Sequence, residues 1–132
     1  LKTMARFEAR LARFSPAMLS VLRIVTALLY LQHGLSKVFA FPGASPKGFH
    51  FASVLGLAAL LETVGSALLL VGFRTRLVAF ILSGEMAVAY FMAHAPRHFY
   101  PIVNGGEAAI LFCFVFLYIA CAGGGAWTAD RR

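Results

Sequence analysis

The sequence predicts an all-α integral membrane protein, an antiparallel four-helix bundle preceded by an amphipathic interfacial helix. Three observations carry this. Hydrophobic residues make up 61% of the 132 and charged ones 13%, whereas a soluble domain has about 45–50% and about 25%. Mean hydropathy is +0.82. Long apolar runs alternate with short segments rich in Pro, Gly and basic residues, which is the pattern of successive membrane spans.

Residues 1–14 place Met4, Phe7, Leu11 and Phe14 at steps of three and four, with Lys2, Arg6, Arg10 and Arg13 between them. This reads as a basic helix lying on a membrane surface, or as a plain positive flank to the first span. No cleavable signal is read here. Ser15-Pro16 supplies an N-cap and a first-turn proline. The first span then runs over residues 17–41 and stops at the breaker-rich Pro42-Gly43-Ala44-Ser45-Pro46-Lys47-Gly48. A second span covers residues 51–72. Phe73-Arg74-Thr75-Arg76 turns the chain into a third span over residues 77–94, and residues 95–101 form another breaker-rich connection. The fourth span begins near Asn104-Gly105-Gly106 and fades at Gly123-Gly124-Gly125. The organisation predicted is a segment 1–14, a four-span unit 15–122 and a polar cytoplasmic tail 123–132.

A net charge of +7 suggests nucleic acid in a soluble protein. Here the basic residues flank apolar runs, so they read as topology signals and exclude that partner. Lys2, Arg6, Arg10, Arg13, Arg74, Arg76, Arg131 and Arg132 lie on one side, against Lys37, Lys47 and Arg97 on the other. Both termini are therefore expected in the cytoplasm of a bacterium, with the protein in the inner membrane. Gly56, Ala59, Gly65, Ser66, Gly72 and Gly84 are expected to let helix backbones approach closely.

The first span carries the most informative pattern. Arg23, Thr26, Tyr30, His33 and Lys37 recur at helical spacing and form one polar stripe on an otherwise apolar helix. Glu62, Glu85 and Glu107 fall one each in the other three spans. A bare charge at mid-bilayer costs about 2.5–3.5 kcal/mol, so each needs a partner or must be neutral. Arg23 paired with Glu62, Glu85 or both is the expected structural lock. Nearer the outer side, His33, Lys37, His94, His98, Asn104 and Glu107 come to one depth, with Tyr30 and Tyr90 below and Tyr100 above. Imidazoles beside a carboxylate exchange protons near neutral pH, and aromatic rings suit a flat ligand head group. His33 and Glu107 are the expected proton-exchanging pair, with Tyr30, Lys37, His94 and Asn104 as ligand contacts.

On the fourth span Glu107, Leu111, Phe114, Tyr118 and Cys121 share a face, expected to look into the bundle, while Cys113 points elsewhere. Glu85 and His94, nine residues apart, fall on opposite faces of an ideal helix. That requires a distortion, for which Gly84 is the candidate, or a second interface such as a homodimer. Cys113 and Cys121 stand roughly 12 Å apart along one helix and cannot bridge. No metal site is predicted, because His33, His94, His98 and Glu107 lack a local ligand motif.

Several blocks together resemble the DoxX family of small four-helix membrane proteins. They are Arg23 with His33-Gly34-Leu35-Ser36-Lys37, Glu62-Thr63-Val64-Gly65, and Leu68-Leu69-Leu70-Val71-Gly72-Phe73-Arg74-Thr75-Arg76. Met86 with His94, Asn104-Gly105-Gly106-Glu107 and the glycine-rich end before Trp127 complete the set. The resemblance implies redox work at the membrane, often through quinone and with partner subunits. Quinone is accordingly the expected cofactor. Membrane lipid, and other protein subunits or a second copy, are the expected partners. The rival readings are a non-catalytic accessory subunit of a larger membrane complex, or a small proton-coupled transporter.

Overall fold

The computed structural model describes residues 1–47 and 49–130. Arg131 and Arg132, the last two positions of the expected tail, lie outside the described residues, as does Gly48. All regular structure among the described residues is helical. The elements are α1 (Lys2–Arg13), α2 (Ser15–Phe39), α3 (Val54–Val71), α4 (Thr75–Ala89) continued by a π-helical turn over Tyr90–His94, a short α5 (Pro101–Asn104) and α6 (Glu107–Ala122).

Local signals account for most of the ends. Pro16 sits in the first turn of α2, where a missing N–H costs nothing. α3 starts after Ser53, whose hydroxyl accepts the Gly56 N–H at 3.2 Å. It ends at Gly72, which takes φ +76° while Gly72 and Phe73 both donate to the Leu68 carbonyl, the pattern of a left-handed glycine cap. α4 begins two residues before the expected Leu77, for a reason far along the chain. Asp130 accepts the Arg74 N–H at 2.6 Å and the Thr75 N–H at 3.0 Å, so a side chain more than fifty residues away caps the helix.

Three helices, Ser15–Phe39, Val54–Val71 and Thr75–His94, are long and apolar enough to cross a membrane. α6 is equally apolar but shorter, at 16 residues, or about 24 Å. The helices pack in the order α2, α3, α4, α6. α2 with α3 and α4 with α6 form extensive pairs, α3 and α4 join the pairs, and α2 and α6 touch sparsely. Tyr30, Leu69, Leu82, Phe116 and Ile119 fill the centre. Gly34 lies against the backbone and hydroxyl of Thr63, so α2 and α3 meet where a side chain has no room. Among the expected small contacts Gly56, Ala59, Gly65 and Ser66 are buried. Gly84 faces outward, with nothing among the described residues within 4 Å of an added Cβ, and it does not distort α4. The distortion is the π turn over Tyr90–His94, which follows Ala89 directly and rotates His94 away from its ideal-helix position.

The expected inner face of α6 is its outer face. Leu111, Phe114 and Tyr118 are 65%, 64% and 59% exposed, and Cys121 is exposed. Ala109, Phe116 and Ile119 point inward instead, and Cys113 lies beside Ser83, which donates to its carbonyl at 2.8 Å. A helix apolar all round offers no periodicity from which to choose its buried face.

Candidate functional site

The polar stripe of α2 is buried over much of its length, but its partners differ from those expected. Arg23 is 1% exposed and binds neither Glu62 nor Glu85. Its guanidinium donates to the Gly124 carbonyl and, at 2.5 Å, to the Trp127 carbonyl. The tail after α6 therefore folds back as a clasp across this end of the bundle. Ser20 donates to Gly124 O at 2.9 Å and accepts the Trp127 N–H at 2.8 Å, and Thr128 donates to Gly72 O at 2.7 Å. The N–H groups of Ala126, Ala129 and Asp130 reach the carbonyls of Pro16, Val71 and Gly72. The expected Arg23 lock is thus corrected to a charge-assisted anchor for backbone carbonyls. Carbonyls with no helical partner are available there, and the two carboxylates lie deeper in the bundle.

Glu62 takes its cation from the other end of the same helix. Lys37 Nζ lies 2.5 Å from Glu62 Oε2, with the two side chains 15% and 4% exposed. Glu85 accepts a hydrogen bond from the Tyr30 hydroxyl, while its second oxygen is buried without a partner among the described residues. Two carboxyls against one ammonium means that this group carries a net negative charge or holds an extra proton. Tyr30 links the pair to a ring cluster, with centroid distances of 4.9 Å to Phe116, 5.2 Å to Phe112 and 5.9 Å to His33. His33 meets Phe112 edge-on at 6.0 Å.

These groups back onto a cleft of about 720 Å³ between α2, the segment after it and α6, lined by Leu29, Gln32, His33, Lys37, Pro42 and Phe112 among others. The second half of α2 and the loop after it supply most of this lining, and Phe112 is the residue that α6 contributes.

The remaining expected contacts gather elsewhere. His94 Nδ1 lies 3.1 Å from the Asn104 carbonyl and its ring stacks on Tyr90. Asn104, 2% exposed, donates to the Tyr90 hydroxyl at 3.2 Å and the His98 carbonyl at 2.9 Å, and accepts the Gly106 N–H at 2.8 Å. Buried and fully engaged, Asn104 holds the connection between α4 and α6. His98 accepts the Tyr100 N–H within that connection. Glu107 is exposed in the first turn of α6, where the helix dipole favours a negative charge. The structure thus places His33, Lys37 and Tyr30 together and puts His94, Asn104 and Glu107 outside the cleft.

Phe112 and the Tyr30–Glu85 contact are not legible in the sequence. The first is one phenylalanine among 13, and the second needs the relative rotation of two helices.

The family model for DoxX matches residues 18–95. The chain belongs to the DoxX family. The matched stretch holds Arg23, Tyr30, His33, Lys37, Glu62 and Glu85, but not Phe112 or the clasp. A chain from Haemophilus influenzae, described as an uncharacterized protein, is 42% identical over 127 residues, covering 92% of this chain and 95% of that one. No solved structure matches this DoxX chain. Family membership and three long apolar helices make it a membrane protein.

Proposed function

We propose that this protein is a four-span inner-membrane subunit with both termini cytoplasmic, and that its cleft binds the head group of a quinone while a partner subunit supplies electrons. The observation that carries the reading is the cleft beside the membrane-spanning α2, which has the His33 imidazole and the Phe112 ring in its lining. A mostly apolar cleft with a few polar groups is the usual form of a small-molecule site.

The donor set fits the group. A quinone, when bound, supplies two-electron chemistry coupled to proton uptake at its carbonyl oxygens. His33 stands exposed at the wall of the cleft and can give or take a proton at its imidazole. Lys37 donates from the cleft lining while Glu62 holds its ammonium in place. Phe112 and Leu29 exclude water along the wall. Tyr30, buried beneath, fixes the aromatic floor and orders Glu85. Glu107, His94 and Asn104 have no part in this binding, because none of them lines the cleft.

The test is quinone retention after gentle purification, read by mass spectrometry. Wild type should keep quinone and His33→Ala should lose it, with the helical content of both unchanged. Equal retention by the two proteins sinks the assignment.

A second reading, an accessory subunit without chemistry, draws on α1, which buries no residue against the bundle. Stoichiometric co-purification of a partner without quinone would select it.

A further inference from the structure

The end of the bundle that carries both chain termini holds another cleft, of about 800 Å³, between the starts of α2 and α4 and the end of α6. Leu19, Leu77 and Tyr118 give it an apolar wall, and the exposed Arg74 and Arg76 also line it. Arg76 donates from one terminal nitrogen to the Ala120 carbonyl at 3.5 Å and to the Cys121 carbonyl. Arg74 lies over the Phe73 ring at 5.9 Å and makes no ion pair among the described residues. Asp130 also lines the cleft, its carboxylate accepting the Arg74 and Thr75 amides, so two arginines against one carboxylate leave the lining net positive.

α1 runs directly into this cleft, since Ser15 and Pro16 both follow it in sequence and line the cavity. Met4, Phe7, Leu11 and Phe14 are 59%, 55%, 55% and 60% exposed. At 3.6 residues per turn they share an arc of about 80°, and Lys2, Arg6, Arg10 and Arg13 share a neighbouring arc of about 80°. An apolar arc beside a basic one, at the end of a membrane span, matches the boundary between acyl chains and acidic head groups.

We propose that this end of the protein binds anionic phospholipid. The phosphodiester head group lies at Arg74 and Arg76, an acyl chain follows the wall of Leu19, Leu77 and Tyr118, and α1 rests on the head groups around it. Charge complementarity selects acidic over zwitterionic lipid. The apolar wall selects a lipid over a free phosphate or an acidic protein. This inference rests on the membrane reading and is independent of the quinone cleft.

The experiment uses the full chain in nanodiscs and in micelles. Native mass spectrometry with equimolar phosphatidylglycerol and phosphatidylcholine should show phosphatidylglycerol retained in preference. Arg74→Gln and Arg10→Gln should each weaken its retention roughly fivefold, and millimolar inorganic phosphate should not displace it. In a Trp127→Phe background, Phe7→Trp should be quenched by brominated phosphatidylglycerol and Ala9→Trp by aqueous iodide. Equal retention of the two lipids, unchanged retention in both arginine variants, or displacement by phosphate would overturn the lipid site. Quenching of Phe7→Trp from water alone would assign the α1 face to a soluble partner and overturn its place on the head groups.

Discussion

Lys37 near the end of α2 and Glu62 in the middle of α3 form a buried ion pair at 2.5 Å. The pair joins the two helices that also meet at Gly34 and Thr63. Its ammonium borders the cleft and its carboxylate lies within the bundle, so one contact serves both packing and site.

Breaking that pair from one side should cost more than removing it altogether. Lys37→Met leaves a buried carboxylate without its cation, and a loss of about 3–5 kcal/mol is expected. Lys37→Met combined with Glu62→Leu should recover much of this, because no charge then stays buried. Thermal unfolding of the three proteins in one detergent checks the order. A double variant less stable than either single one would contradict it.

The clasp should loosen in acid. Burial works against ionisation of Asp130, but contacts from Thr75, the Arg74 and Thr75 amides and the Arg23 charge outweigh it and hold the carboxyl below the ordinary value of 3.8. A depressed folded value means that the stabilising contribution is fully present above the ordinary value and is lost as pH falls through the lower folded one. Trp127, the single tryptophan, reports the transition by its emission. Asp130→Asn should abolish the acid step. Arg23→Met should shift Trp127 emission to the red at neutral pH and expose the tail to carboxypeptidase.

Gly34 and Gly84 should respond in opposite ways to alanine. At Gly34 a methyl group collides with the hydroxyl and backbone nitrogen of Thr63, so Gly34→Ala should cost about 1–3 kcal/mol. Gly84→Ala, in open space, should be neutral or gain a few tenths from helix propensity, up to about 1 kcal/mol. Unfolding midpoints in detergent decide the comparison.

Tyr30→Phe removes the donor to Glu85 and leaves a buried carboxyl with neither oxygen paired. The expected loss is about 1–3 kcal/mol. Adding Glu85→Leu to it should restore stability, since the orphaned group goes with the donor. If the aromatic floor also supports ligand binding, Tyr30→Phe alone should keep quinone retention near wild type, because the ring stays in place.

How much of the site is legible follows from where each signal resides. The polar stripe of α2 repeats at three and four residues along one helix, so the sequence alone groups Tyr30, His33 and Lys37. Arg23 shares that stripe, yet its partners, Gly124 and Trp127, come from a glycine-rich tail with no periodic pattern. His94 and Asn104 do lie near each other, but the π turn and a short α5 turn them into a connection of their own.

By itself the sequence determined the helical class, the apolar spans and most helix ends, because hydropathy, caps and breakers act over a few residues. Tertiary structure alone decided which acid meets which base, which side of α6 is buried and what covers Arg23. Those outcomes depend on the rotation and stagger of packed helices and on where a tail folds back. Such relations join residues far apart along the chain, beyond the reach of any local pattern.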